Sequence, residues 1–250
     1  MSPGGDAMKS SRLAVVLLLS SLAANTLSAQ VIPVTKPASS TGETGSEELT
    51  PSPPKLVVLV FDFAHLDGSV LLSAKRVATQ IFKESGIETE WFDCPRTSLD
   101  CDLQAGGAQF RLIIQSQVGT VVKDHLQARD LTDSYALGFA IPCETTDSAC
   151  LFYIFYSPVS SLASQYGASI GCILGQVMVH EIGHSLLGPD AHSRTGIMQP
   201  RFPVPGSGRL LYFTSRESKR ARDQLSMRNE LVKNRFAGLR TPLFLANSKD

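Results

Sequence analysis

The sequence predicts a domain of the α+β or α/β class: a mixed, mostly parallel sheet, a long buried helix and a further helix toward the C-terminus. Three features carry this expectation. A continuous apolar run at 55–63 is followed by a helical pattern and then a strand pattern. Three more strand-like runs come next. A long stretch ending at Leu187 is apolar on nearly all of its faces. The early strand–helix–strand order makes part of the sheet parallel, because parallel neighbours need a crossover connection.

The elements follow in order. KLVVLVFDF (55–63) is apolar and β-branched almost throughout, as a strand buried on both faces must be. DGSVLLSAKRVATQIFKESG (67–86) sets Val70, Leu71, Ala74, Val77, Ala78 and Ile81 at helical spacing, and Gly86 suits the helix end. IETEWF (87–92) alternates as a strand, and QFRLIIQSQ (109–117), YALGFAI (135–141) and LFYIFYS (151–157) supply three more. One helix is expected from about Val159 to Leu187. In its later part Ile173, Leu174, Val177, Met178, Val179, Ile182, Leu186 and Leu187 surround the axis, the pattern of a buried helix. Gly188 and Pro189 end it. Thr214 and Glu217 form a T-x-x-E capping pattern that opens a last helix reaching roughly Lys233.

Outside this domain, assigned to residues 55–240, the chain has a different character. Residues 1–29 have the charge–apolar–small order of a signal peptide: Lys9 and Arg12, an apolar core from Leu13 to about Leu22, then small residues to Ala29. That core is too short to span a bilayer comfortably. Residues 30–54 are rich in Pro, Ser, Thr and Glu without apolar period, which predicts a disordered linker, and 241–250 form a tail. The mature chain is expected to be soluble, secreted or periplasmic, and without a membrane partner. Lys+Arg and Asp+Glu number 23 each, so no overall basic field exists to hold nucleic acid. The local run RESKRAR (216–222) reads as a solvated helix face.

Export sets the reading of the cysteines. Cys94 with Cys101 and Cys143 with Cys150 are each seven apart, which predicts two local disulfides in an oxidising compartment. A structural zinc site built from the four is the rival reading, but it lacks close C-x-x-C spacing. Cys172 is left over in an apolar helical run and is expected to be a buried thiol.

The chemistry concentrates in VHEIGHSLLGPDAHSRTGIMQP (179–200), which holds three of the five histidines. Residues four apart on a helix lie one above the other, so His180 and His184 present two imidazoles on one face. That suits two ligands on one zinc ion, with Zn–N bonds of about 2.0–2.1 Å. Glu181 is badly placed to be a ligand beside both histidines but well placed to take a proton from a water that zinc acidifies. The competing reading makes the histidines ordinary core residues. A lone buried glutamate would then be costly, whereas a metal ion explains all three polar groups together.

HEIGHSLLG, then HS, then GIMQP resembles the metzincin clan of zinc metallopeptidases, and most of all its matrixin branch, whose pattern is H-E-x-x-H-x-x-G-x-x-H followed by a Met-turn. The resemblance covers roughly residues 55–235, but its specific part is 179–200. It implies a metzincin-like catalytic domain, a zinc cofactor, a protein or peptide substrate, His180 and His184 as metal ligands, Glu181 as general base, and Met198 as the Met-turn residue forming an apolar floor beneath the ligands. The sequence departs from the pattern in places. Leu187 stands where the family has glycine, with Gly188 next. The family's third histidine falls at Asp190, and the nearest histidine, His192, lies two residues further on. Two candidates for the third ligand follow. His192, followed by Ser193 as in matrixins, is favoured, and Asp190 is the alternative by spacing. Pro200 occupies the place where some metzincins carry a tyrosine, with Phe202 beyond. His65 and His125 read as ordinary loop or surface residues.

The leading expectation is a secreted zinc endopeptidase. A second reading, a zinc hydrolase of another clan, needs Glu217 as the third ligand. A third makes the chain an inactive relative, or a binding module whose zinc is structural and closed by both Asp190 and His192.

Overall fold

The computed structural model describes residues 52–95, 101, 108–117, 136–141, 143, 150–201 and 209–239. The expected signal peptide, most of the linker, the tail and His125 lie outside these residues. In chain order the elements are β1 (Lys55–Asp62), α1 (Gly68–Glu84), β2 (Glu88–Asp93), β3 (Gln109–Gln115), β4 (Gly138–Ile141), β5 (Cys150–Phe155), α2 (Tyr156–Tyr166), α3 (Ile170–Leu187) and α4 (Ser215–Leu239). The five strands form one sheet in the order β2-β1-β3-β5-β4. All pairs are parallel except β4 with β5, so the sheet is mixed and mostly parallel.

The continuous apolar run of β1 has a direct explanation. Leu56, Val58 and Val60 point into the main core with residues of α1, α2, α3 and α4. Val57, Leu59 and Phe61 point the other way, into a smaller cluster with Cys94 and Ile113. A central strand covered on both faces has no polar side to show. Asp67 caps α1 by accepting the Ser69 N–H at 2.7 Å, and Gly86, with φ +72°, follows its end.

The single long helix expected from Val159 is two helices. The first starts three residues earlier, at Tyr156, directly after β5, because Pro158 falls within its first turn, where a missing N–H costs nothing. Gly167 ends α2 in the left-handed region (φ +59°), and Ser169 restarts the chain as α3 by accepting the Cys172 N–H. At the other end, α4 runs on to Leu239 rather than stopping near Lys233. Its capping box is formed: the Thr214 N–H donates to Glu217 Oε2 at 2.8 Å, and the Glu217 N–H to Thr214 Oγ1 at 3.3 Å. Both expected disulfides, Cys94–Cys101 and Cys143–Cys150, are present. Cys172 is a half-buried free thiol rather than a fully buried one.

The close approach of α1 and α3 places the site-bearing helix. Two glycines one turn apart make it possible. A Cβ on Gly171 would stand 2.6 Å from Ser73 Cβ, and one on Gly175 would stand 2.5 Å from the Ala74 carbonyl oxygen and 2.8 Å from Val77 Cβ. By helix propensity alone, Gly175→Ala would gain about 1 kcal/mol. Contact with a backbone oxygen cannot be relieved by a rotamer change, so the packing loss of about 1–3 kcal/mol wins. Gly175→Ala is expected to lower the urea midpoint, and a raised midpoint would show that the helices do not pack this closely.

Candidate metal centre

The site is built on α3. Its two histidines share a face, with ring centroids 4.8 Å apart and Nε2 atoms 3.2 Å apart. The helix stops at Gly188 (φ +110°), whose N–H donates to the His184 carbonyl at 2.9 Å. Gly188, Pro189, Asp190 and Ala191 then form a turn closed by the Ala191 N–H on the Gly188 carbonyl at 3.2 Å. Proline at the second place and aspartate at the third are ordinary turn chemistry. The turn absorbs the longer spacing and sends His192 back over the helix. Its ring lies 4.8 Å from that of His184 and 5.6 Å from that of His180. One nitrogen from each of the three rings lies within 4.8 Å of the others. Asp190 is exposed and is not in this group; its negative charge only partly offsets the other effects on His184.

The segment after His192 orients the histidines. The Ser193 N–H donates to the Met198 carbonyl at 2.9 Å, and the Ile197 N–H to the Tyr212 carbonyl at 2.9 Å. His180 Nδ1 in turn donates to the Ile197 carbonyl at 2.8 Å. Gly196 holds φ +80°, and a Cβ there would lie 2.5 Å from the Tyr212 oxygen, so conformation and space both demand glycine. Met198 is fully buried with its sulfur against the α3 backbone; a Cβ on Gly183 would meet it at 2.5 Å. The Met198 thioether therefore lies on α3 between the turns that carry His180 and His184. Gln176 was not singled out from the sequence. It is fully buried one turn before His180, and its Oε1 accepts the Leu211 N–H at 2.9 Å. That bond anchors the strand of chain whose Tyr212 carbonyl holds Ile197, and through it His180. A glutamine in an otherwise oily helix was the available signal.

The nitrogens fit a metal ion. A carbonyl only accepts, so the Ile197 oxygen puts the proton of His180 on Nδ1, and the Gly188 oxygen, 3.4 Å from His184 Nδ1, does the same there. Two Nε2 lone pairs then face each other at 3.2 Å, which repel unless a cation sits between them. Two ligands on a tetrahedral zinc stand about 3.3 Å apart, given bonds of about 2.05 Å.

Electrostatics favour neutral imidazoles at His180 and His184. Burial pushes the His184 pKa down to about 4, and charge on His180 or His192 would push it further. Burial also lowers His180, with the Ile197 carbonyl opposing. Glu181 is buried, and the loss of solvent alone raises its pKa to about 8. Glu217 stands apart: its carboxylate closes the α4 cap and is not grouped with the histidines. His65 lies in an exposed loop with φ 56°. Pro200 is exposed, and Phe202 lies outside the described residues.

These shifts set the pH dependence of the metal-free chain. Folded Glu181 keeps its proton to about pH 8, while an unfolded chain loses it near 4.5. Its contribution is therefore full below pH 4.5 and is lost as pH rises through 8. His184 acts oppositely. Unfolded, it takes a proton near 6.5; folded, it resists to about 4, so stability falls as pH drops through that window. Glu181→Gln is expected to stabilise the metal-free protein at pH 7 by up to about 3 kcal/mol, leaving the acid-side decline in place. Urea melts in chelator at pH 5 and 7 measure both. A variant no more stable than the parent at pH 7 would mean Glu181 is not held out of water.

No family model and no curated protein matches the chain. Among solved structures it is similar to a Thermotoga maritima protein known from solution, at 14% identity and a TM-score of 0.31, over 78% of this chain and 100% of that one. It is also similar to metalloproteinase-II from Bacteroides fragilis, at 12% identity and a TM-score of 0.40, over 69% of this chain and 54% of that one, so the match spans about half of the metalloproteinase.

Proposed function

We propose that the chain is a secreted zinc-dependent endopeptidase acting on protein or peptide substrates, with His180, His184 and His192 as metal ligands and Glu181 as general base. One observation carries this reading: three imidazole nitrogens converge within 4.8 Å, and the residue beside the first is a buried glutamate with no ion-pair partner among the described residues. Among the described residues no fourth metal-binding side chain joins the three, and a structural zinc site ordinarily closes with four. Three protein ligands and an adjacent base are the arrangement of a hydrolytic site. The two disulfides and the N-terminal sequence pattern support an exported protein.

When bound, zinc supplies a Lewis acid that acidifies water and polarises a carbonyl. The chain's residues do the rest. His180 and His184 are fixed by the Ile197 and Gly188 carbonyls, so their Nε2 lone pairs need no reorganisation. Glu181 takes the proton of the attacking water as the water oxygen bonds to the peptide carbonyl carbon. The C–N bond then breaks, and Glu181 delivers that proton to the departing amine nitrogen. A cation held by the three histidines would favour the ionised form of the neighbouring Glu181, the form that can accept a proton.

The test is zinc content and peptide hydrolysis on the purified domain. Parent protein is expected to hold one zinc per chain and to lose hydrolysis to chelators. Glu181→Gln should keep its zinc while hydrolysis falls by about 10²–10⁴-fold. His192→Ala should lose zinc and Asp190→Ala retain it. Full activity in Glu181→Gln, or zinc lost only in Asp190→Ala, would overturn the assignment of roles.

A further inference from the structure

Glu181 leans on the backbone of the edge strand β4. A Cβ built on Gly138 would stand 2.6 Å from Glu181 Cγ, 2.7 Å from Oε1 and 2.8 Å from Cδ. The backbone does not need glycine here for its conformation, since Gly138 is not among the positive-φ residues. It needs glycine for space. A glycine inside a strand weakens it and often marks a close approach. Side chains alternate along β4, so Gly138 and Ala140 face the helices while Phe139 and Ile141 face the other way. The side toward α3 thus carries only the two smallest residues.

We infer that Gly138 is a positioning residue for the general base: the missing side chain in β4 forms the seat of the Glu181 carboxylate. This rests on the function proposed above. The strand cannot readily retreat from an added methyl. Gly138 pairs with buried Ile154, the Phe155 N–H donates to the Leu137 carbonyl at 2.9 Å, and the Cys143–Cys150 bridge staples the far end of the same β4–β5 pair. Helix α3 cannot retreat either, because its glycines lie against α1. The Glu181 side chain therefore takes up the displacement, by rotating its carboxylate away from the reacting water. The metal ligands are held elsewhere, by the Ile197 and Gly188 carbonyls, and stay in place.

Gly138→Ala tests this through two independent readings. In the zinc-loaded protein, kcat is expected to fall by about 10²-fold, the loss typical of a misplaced catalytic group. KM should stay within about twofold and zinc at one per chain. An unchanged kcat, or loss of zinc, overturns the proposal. The second reading uses the metal-free protein and needs no activity. Gly138→Ala should lower the melting temperature of the parent by about 4 °C. It should have no such effect in a Glu181→Ala background, where the crowded side chain is gone. Equal losses in both backgrounds overturn the seat. If the parent hydrolyses no peptide, the functional reading fails, and the melting cycle still decides whether Gly138 seats Glu181. If Gly138→Ala does not fold in the parent but folds in Glu181→Ala, the seat is upheld.

Discussion

Helix α3 carries the site inside an apolar shell, and the rest of the structure answers that constraint. Nearly every side chain of the helix is buried, and polar groups in such a place must find partners or carry a large desolvation cost. Gln176 finds the Leu211 N–H, His180 finds the Ile197 carbonyl and His184 faces the Gly188 carbonyl. Each partner comes from the chain after the helix, so Gly188, Ile197 and Leu211 are drawn onto α3 by its own polar groups. The Ile197 and Gly188 carbonyls are held beside the helix, and the histidines are oriented because those carbonyls are fixed.

The last helix braces the same element through its cations. Arg220 donates to the Leu187 carbonyl at 2.9 Å, satisfying the end of α3 where four carbonyls lack helical partners. Arg222 donates to the Ser85 carbonyl at 2.7 Å, closing the end of α1 in the same way. Arg228 reaches the Ser185 carbonyl and both sulfurs of the Cys143–Cys150 bridge, and its burial lowers its pKa. Asn229 ties α4 to the sheet through the Lys55 carbonyl and the Ala108 N–H. The run at 216–222, expected to be a solvated face, is so at Arg216, Lys219 and Arg220, although Arg220 and the half-buried Arg222 also cap two other helices. Composition along one helix face cannot reveal this, because the carbonyls that recruit those arginines belong to residues far away in sequence.

The same distinction separates what was legible from what was not. The apolar run of β1, the capping box of α4 and the pairing of the cysteines are written in contiguous or closely spaced residues, and reading them required no tertiary contact. The pairing of His180 with His184 was legible for the same reason: helical periodicity alone brings them to one face, with Glu181 one residue on. The break between α2 and α3 was legible in principle. Gly167 and Ser169 are a stop and a start signal two residues apart, but the apolar pattern on both sides masked them. Which of Asp190 and His192 lies over the histidine pair depends on the path of a four-residue turn, which spacing cannot fix. Gln176 stood out as a glutamine in an oily helix, but its partner at residue 211 was not readable, and Gly138 was beyond reach because it matters only through residue 181.

One group on α3 is left without an answer. The protein places cations on carbonyls at both neighbouring helix ends, yet among the described residues none is paired with the Glu181 carboxylate, whose raised proton affinity comes from burial. A lysine or arginine there would relieve the desolvation cost and would also pin the carboxylate in its charged form, lowering its affinity for a proton. Local rules are broken at one place on an otherwise satisfied helix, and such concentrated violation is where function is expected to sit. The cost is carried by the fold around it, through the α1–α3 glycine contact, the disulfide-stapled edge hairpin and the capping arginines of α4.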